Sequence, residues 1–351
     1  MKALLLVGGK GTRLRPLTIH TPKSIVPIFN RPFLTYQIDL LKQIPEIDEI
    51  ILSLNYQPRR IEELFGDGRD IGIKLRYVVE PFPLGTAGAV RYAGESLTDS
   101  VLVFNGDVMT QIDLAAVIAL HRQRKALATI VLTPVDNPSA YGLVESDAEG
   151  NVRRFLEKPK PEEITCNTIN AGIYVLEPST FGRIPKDVPW SIERSFFPSL
   201  VERGETFVSY VSKGYWIDIG TPEKYVKVHR DIMNGLYVAP PFSNGRRTTA
   251  IVETGARIEP GAEITGPVYV DEGVVVKAGA RVGPYSVVGR QCQVEEGAII
   301  EGSILWANTR VGNAARIHDS VLGRGCFVGE DASLDNCILG DKSEITEFSR
   351  L

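Results

Sequence analysis

Two hydrophobic patterns divide the chain. Over the first two thirds, short β-branched runs alternate with stretches whose apolar residues recur every three or four positions. KALLLV (2–7), EIIL (49–52), LRYVVE (75–80), SVLVFNGD (100–107) and ATIVLTPV (128–135) predict strands. FLTYQIDLLKQI (33–44) and LAAVIALHRQRK (114–125) predict helices between them. Strand and helix in alternation imply an α/β domain with a Rossmann-like, mostly parallel sheet covered by helices. Ligands of such sheets lie in the crevice beyond the carboxyl ends of the strands, so polar motifs at strand ends are where chemistry is expected.

From about residue 250 an aliphatic side chain recurs every six positions, at Val252, Ile258, Ile264, Val270, Val276, Val282, Val288, Val294 and Ile300. The frame then slips by one and resumes at Val311 and Ile317, at Leu322, Val328 and Leu334, and at Leu339 and Ile345. Glycine lies three places after the repeated residue at Gly255, Gly261, Gly273, Gly279 and Gly297, where a tight corner suits it. A period of six is the mark of hexapeptide repeats in a parallel β-helix, one short strand and one corner per unit. NGLYVAPPFSNGRRTT (234–249), rich in proline, glycine and polar residues, reads as the linker. The expected division is therefore 1–233, a linker at 234–249, and 250–351.

Composition narrows the function. With 351 residues the chain exceeds one ordinary domain, and 43% hydrophobic with 23% charged residues is a soluble, globular balance. A net charge of -4 argues against binding DNA or RNA, which takes a basic surface. The apolar start is about five residues long before Gly8 and Gly9, too short for a signal peptide, and no stretch approaches the roughly 18 apolar residues of a membrane span. Cys166, Cys292, Cys326 and Cys337 lack metal-site spacing, so a reducing, cytoplasmic compartment is expected, with the last three as small apolar fillers.

Five stretches carry candidate chemistry. In LLLVGGKGTRLRPL (4–17), Gly8, Gly9 and Gly11 follow a strand and let backbone N–H groups approach an anion, with Arg13 beside them; a plain glycine turn is the alternative. TPKSIVP brings Lys23 close in sequence, either to neutralise phosphate or as an ordinary exposed lysine. SVLVFNGD ends in Asn105, Gly106 and Asp107, and a carboxylate there suits Mg²⁺ or caps the next helix. GYWIDIGTPEKY sets Asp218 among apolar residues, where it needs a metal or a buried hydrogen bond. FLEKPKP places Glu157 and Lys158 side by side, facing opposite ways on a strand unless the strand ends at that point, as Pro159 suggests. The small residues Gly85, Thr86, Ala87 and Gly88 suit a flat base lying against backbone.

Together GGKGTRLRPLT, TPKSIVPIFNRP, PLGTAGAV, NGD, YGLVE, FLEKP, NAGIYVLEP and GYWIDIGTPEKY, in this order and followed by the repeats, resemble the sugar-nucleotide pyrophosphorylases over essentially the whole chain. These nucleotidyltransferases join a sugar 1-phosphate to an NTP, and the versions of these motifs, with SIERSFFPSLVERG, look most like those of guanylyltransferases acting on mannose 1-phosphate. The resemblance implies a catalytic domain followed by a left-handed β-helix. It implies that Leu6, Val7, Gly9, Gly11, Thr12, Arg13, Lys23, Gly85 and Asn105 bind the nucleotide. Gly142, Glu157, Lys158 and Asn170 would hold the sugar phosphate, and Asp107 and Asp218 a Mg²⁺ cofactor. Arg13, Lys23 and Lys158 would be catalytic through charge. Ser24 stands where such guanylyltransferases often carry a second proline.

The partners implied are GTP and mannose 1-phosphate, with neither nucleic acid nor membrane, in a homo-oligomer formed through the β-helix and catalytic domains. Three alternatives accompany this reading. One is a thymidylyl- or uridylyltransferase acting on glucose 1-phosphate. Another is an added acyltransferase activity in the β-helix, whose one histidine is His318. The last is a non-catalytic regulatory subunit that senses sugar nucleotides.

Overall fold

A computed structural model of the chain describes residues 1–243 and 249–351. Two compact units form: Met1–Gly9 with Leu34–Asp218, and Lys10–Phe33 with Ile219–Leu351. In chain order the first strands are β1 (Lys2–Leu6), β2 (Pro27–Ile28), β3 (Arg31–Pro32), β4 (Glu49–Leu54), β5 (Lys74–Val79), β6 (Val101–Asn105) and β7 (Val108–Thr110). They continue with β8 (Ala128–Pro134), β9 (Gly142–Ser146), β10 (Val152–Glu157), β11 (Thr168–Leu176), β12 (Phe207–Val211) and β13 (Trp216–Asp218). Helices are α1 (Phe33–Leu41), α2 (Pro58–Phe65), α3 (Gly85–Ala93), α4 (Leu114–Gln123), α5 (Phe197–Glu202) and α6 (Pro222–Met233).

In the first unit the sheet runs β10-β9-β11-β6-β1-β4-β5, with β8 pairing β11 and β12. Its centre, β6-β1-β4-β5, is parallel. Ala3, Leu4, Leu5, Ile50, Ile51, Leu52 and Val101 to Phe104 are all buried, the unbroken apolar runs that a strand covered on both faces requires. Both helices expected from the apolar spacing form, and Asp113 caps α4 by accepting the Ala116 N–H. Beyond β6 the sheet becomes mixed, because β11 enters antiparallel. Likewise β9 and β10 are joined across 147–151, a link too short for a crossover, and so pair antiparallel. Phe197 centres the aromatic part of the core, 5.0 Å from both Tyr174 and Phe207 and 5.5 Å from Phe155.

The second unit is built on the predicted parallel β-helix. Its three sheets stack the expected aliphatic residues in columns: Val252, Val270, Val288, Leu305, Leu322 and Leu339 on one face. Ile258, Val276, Val294, Val311, Val328 and Ile345 form the next, and Ile264, Val282, Ile300, Ile317 and Leu334 the third. The one-residue slip is a shortened corner. Val270 to Val288 is 18 positions, whereas Leu305 to Leu322 is 17. At that corner buried serines stack, the Ser320 N–H donating to Ser303 Oγ and the Cys337 N–H to Ser320 Oγ, each at 3.0 Å. Polar side chains thereby satisfy backbone groups that the shorter turn leaves over.

The same unit contains α6 and Lys10–Phe33, so compaction does not follow the 1–233, 234–249 and 250–351 division. The reason is packing: the Phe29 ring lies 5.0 Å from His229, 5.4 Å from Phe242 and 5.7 Å from Tyr269. Within the linker segment, Tyr237, Ala239 and Phe242 are buried, while 244–248 lies outside the described residues. Among the described residues, no helix is long and apolar enough to cross a membrane.

Candidate active site

The first unit gathers its polar motifs at the carboxyl edge of the parallel strands. Leu6 and Asn105 are register partners at the ends of β1 and β6, and the Gly106 N–H donates to Leu6 O at 2.9 Å. Val7, Gly8 and Gly9 therefore leave the sheet next to the Asn105-Gly106-Asp107 turn. Glu80, just past β5, adjoins them. Its buried carboxylate accepts from Ser53 Oγ and from the Leu84 N–H, 3.0 Å each, and so holds the turn that leads to Gly85. Burial pushes the Glu80 carboxyl above its ordinary pKa.

Gly85 opens α3 in a left-handed conformation (φ 71°) and stays exposed. The next small residues have a packing role: the Ala87 and Gly88 N–H groups both donate to Trp190 O, and both residues are buried. Of the four, only Gly85 and Thr86 keep surface, so Ala87 and Gly88 offer no face against which a base would lie.

Asp107 directly precedes β7, and Asp218 ends β13 opposite Val108. Both carboxylates thus belong to one end of the β7–β13 pair. Asp218 is buried, and its Oδ1 accepts from Tyr141 Oη at 3.2 Å. Among the described residues no group of three or more His, Cys, Asp or Glu assembles to hold a metal. Two carboxylates without nitrogen or sulfur donors are nonetheless the donor set of Mg²⁺, which takes one or two carboxylates and fills its other positions with water and phosphate oxygens.

Gly142 and Glu157 are cross-strand partners in β9 and β10. A Cβ on Gly142 would lie 3.0 Å from Glu157 Oε2 and 2.8 Å from the Phe155 ring, so glycine makes the space that the carboxylate occupies. Lys158 has φ 52°, ends the strand and is exposed. This turn frees Lys158 from the strict alternation that would have set it opposite Glu157. Burial raises the Glu157 pKa and the Glu193 charge adds to the rise, with Lys158 and Arg194 opposing.

Asn170 Nδ2 donates to Tyr174 Oη at 2.9 Å, while Oδ1 accepts the Gly172 N–H at 2.8 Å. Burial, first, and the Glu193 charge push the Tyr174 phenol well above its ordinary pKa. Tyr174 thereby fixes the orientation of Asn170, a residue expected to bind sugar. Glu193 accepts from Thr86 Oγ1 at 2.9 Å and Ser191 Oγ at 2.7 Å. Glu80, Tyr141, Tyr174 and Glu193 escaped the sequence reading. Tyr174 reads as core, and Glu193 sat in a matching motif with no chemistry assigned to it.

Within the second unit, Gly11 and Lys23 adjoin. A Cβ on Gly11 (φ 61°) would lie 2.9 Å from Lys23 Cβ, and Thr18 Oγ1 donates to Gly11 O at 2.7 Å. Thr12 and Arg13 start the short helix Thr12–Leu14 and are exposed. His318 is exposed on the β-helix, with Nδ1 3.2 Å from Asp335.

Residues 2–235 match the family described as nucleotidyl transferase, and residues 264–350 match the GMPPB C-terminal domain. A protein of Mycobacterium tuberculosis named mannose-1-phosphate guanylyltransferase is 41% identical over 278 residues, covering 78% of this chain and 76% of that one. A Synechocystis protein named UTP–glucose-1-phosphate uridylyltransferase is 31% identical over 345 residues, covering 92% and 87%. Among solved structures, HddC of Yersinia pseudotuberculosis complexed with GMP-PN is similar with a TM-score of 0.57 and 30% identity, covering 66% of this chain and 99% of that one. The chain belongs to the nucleotidyl transferase family and is an enzyme of that class.

Proposed function

We propose that this enzyme transfers the guanylyl group of GTP to mannose 1-phosphate, giving GDP-mannose and pyrophosphate. The observation that carries the chemistry is the register of β1 with β6, which sets the glycine segment beside Asn105 and Asp107 at the carboxyl edge of the sheet. The choice of GTP and mannose 1-phosphate is supported by the 41% identical guanylyltransferase of Mycobacterium tuberculosis.

In the reaction, an oxygen of the sugar phosphate attacks the α-phosphorus of the nucleotide in line. The bond from that phosphorus to the bridging oxygen breaks, and its electron pair leaves with pyrophosphate. A phosphate is already a nucleophile, so no general base is needed and catalysis is positioning and charge neutralisation. Leu6, Val7, Gly9, Gly11, Thr12, Gly85 and Asn105 bind the nucleotide. Arg13 and Lys23 neutralise its phosphates and the departing pyrophosphate. Glu157, in the space left by Gly142, accepts hydroxyls of the sugar, Asn170 orients it, and Lys158, turned out of β10, holds its phosphate. Asp107 and Asp218 would hold Mg²⁺, which when bound withdraws charge from phosphate oxygens.

We read the chain functionally as a catalytic domain over 1–233, a linker over 234–249 and a β-helix scaffold over 250–351; separate family matches over 2–235 and 264–350 support two parts of this kind. The β-helix pairs subunits into a homo-oligomer, a reading supported by its exposed Phe327, Phe348 and Leu351. A cytoplasmic location accords with four free thiols.

The test is pyrophosphate release with each of four NTPs against mannose 1-phosphate and glucose 1-phosphate, with and without Mg²⁺. Turnover is expected to be highest with GTP and mannose 1-phosphate. A preference for UTP or dTTP with glucose 1-phosphate would favour the second reading, which the Synechocystis relative supports. No pyrophosphate from any pair would leave the sensing subunit.

A further inference from the structure

A buried chain of hydrogen bonds inside the second unit ties the segment carrying Lys23 to the β-helix. Trp306, which follows the strand Ile304–Leu305, donates its indole N–H to Tyr225 Oη at 2.9 Å. Tyr225 Oη in turn donates to Pro27 O at 2.5 Å. One turn further along α6, His229 Nδ1–H donates to Tyr225 O at 2.9 Å, and its Nε2 accepts the Phe29 N–H at 3.1 Å. The carbonyl of Pro27 and the amide of Phe29 are thus both held by α6, and α6 is oriented through Tyr225 by the β-helix.

Tyr225 and His229 have no exposed surface and Trp306 is 2% exposed. Burying an indole N–H, a phenol and an imidazole is unfavourable unless each finds its partner, and an apolar filler would occupy the same volume without fixing direction. What polar groups add is one defined position for Pro27. That position reaches Lys23 with little slack. Lys23–Ile25 is a short helix, the Val26 N–H donates to Lys23 O at 3.3 Å, and the Phe33 N–H donates to Val26 O at 3.0 Å. From the other side Gly11 packs on Lys23 Cβ. Phe29 itself has φ 55°, a conformation that a non-glycine residue keeps only when its surroundings impose it.

We propose that Trp306 is a positioning residue for catalysis: through Tyr225 and Pro27 it sets the ammonium group of Lys23 against the nucleotide phosphates. The proposal rests on the reading of Lys23 given above. The β-helix then does more than scaffold, since one of its coils contributes a directed hydrogen bond to the α6 tyrosine that in turn holds the loop carrying Lys23.

The test is a double-mutant cycle on kcat for pyrophosphate release, using Trp306→Phe and Tyr225→Phe in wild-type and Lys23→Ala backgrounds. Trp306→Phe removes the indole N–H and keeps an aromatic ring. It is expected to lower kcat about tenfold while leaving KM for the sugar 1-phosphate unchanged, since misplacing a reacting group by a fraction of an ångström has effects of this order. In the Lys23→Ala background the same substitution is expected to change kcat less than about twofold, because the group it positions is gone. Tyr225→Phe, which removes both bonds, provides the same comparison if Trp306→Phe fails to fold. Equal losses in both backgrounds, or an undiminished kcat, would overturn the relay while leaving the role of Lys23 standing. A Lys23→Ala enzyme with full kcat would overturn the reading of Lys23 and the relay with it.

Discussion

His229 is expected to make the protein acid-sensitive well above the range in which carboxylates protonate. The ring is fully buried on α6, and burial lowers its pKa from 6.5 to about 4, with the Tyr225 carbonyl only partly opposing the fall. In the neutral ring, Nδ1–H donates to Tyr225 O and Nε2 accepts from the Phe29 N–H. Protonation would set one N–H against another at the Phe29 end. The unfolded chain takes up this proton as pH falls through 6.5, whereas the folded chain refuses it until about 4. Over that window the unfolded state binds more protons, so stability rises with pH at up to about 1.4 kcal/mol per unit. Acidification from pH 7 to 4 is therefore expected to remove about 3 kcal/mol through this ring alone.

Urea unfolding between pH 7 and pH 4.5, followed by tryptophan fluorescence, reads this out in the wild type and in His229→Gln and His229→Phe. His229→Phe leaves the Phe29 N–H without its acceptor, while the amide oxygen in His229→Gln can still accept that N–H and the bond to Tyr225 O is lost in both; both are expected to be about 1–3 kcal/mol less stable at pH 7, His229→Phe the more so. Their stability is expected to fall less on acidification, so the gap to wild type closes. Other titrating groups drop out of the difference. Asp147, held down at about 2 mainly by its hydrogen bonds with Asn151, loses its contribution only as pH falls below its unfolded value. Glu80 and Glu157, raised by burial, act with the opposite sign and equally in wild type and variant. Parallel pH profiles would refute a neutral, buried His229.

Gly11→Ala, which needs φ 61° and brings Cβ to 2.9 Å from Lys23 Cβ, is expected to lose about 1–2 kcal/mol in urea unfolding and at least about tenfold in kcat. Gly9→Ala meets no atom within 4 Å and needs no left-handed backbone, so it is expected to leave stability within about 1 kcal/mol while raising KM for GTP; an unchanged KM would remove Gly9 from the nucleotide site. Asp218→Asn is expected to raise the Mg²⁺ concentration for half-maximal pyrophosphate release on the order of tenfold, and an unchanged Mg²⁺ dependence would count against Asp218 as a ligand. If Glu157 binds the sugar hydroxyls through its carboxylate as proposed, its raised pKa is expected to make kcat/KM for the sugar 1-phosphate fall on acidification above the ordinary carboxylate range; Glu157→Gln should abolish that limb.

Local physics explains which features the sequence disclosed. Strands buried on both faces have to be apolar throughout, so Leu4, Ile51 and Val103 announce themselves, and columns such as Val270, Val288 and Leu305 repeat because stacking forces them to. Even the frame slip after Ile300 was visible, though its meaning as a shorter corner closed by Ser303 and Ser320 depends on bonds between successive coils. The mixed half of the sheet was hidden, because pairing direction follows from link lengths rather than from any strand's own pattern. In the site, glycines, lysines and strand-end aspartates are legible as types. Glu193 and Tyr174 are not: one looks like a surface acid and the other like core, and only the contact of Glu193 with Thr86, 107 positions away, and that of Tyr174 with Asn170 along the same strand give them a role.

The segment Val7–Arg13 shows why motif reading and compact units part company. Its first glycines belong with the sheet and its last part with the β-helix unit. The two ends meet different demands. Gly8 and Gly9 follow a strand whose neighbour β6 supplies Asn105 and Asp107, so their position is set by sheet register. Gly11 is instead set by its left-handed backbone and by contact with Lys23, whose own segment is fixed to α6 through Pro27 and Phe29. If this stretch binds phosphate as proposed, support of this kind makes it sensitive to residues that never touch substrate. Substitutions at Trp306 or His229, which lie outside the glycine segment and the Lys23 motif, should then disturb turnover more than substitutions at exposed positions within the glycine segment itself, such as Arg15.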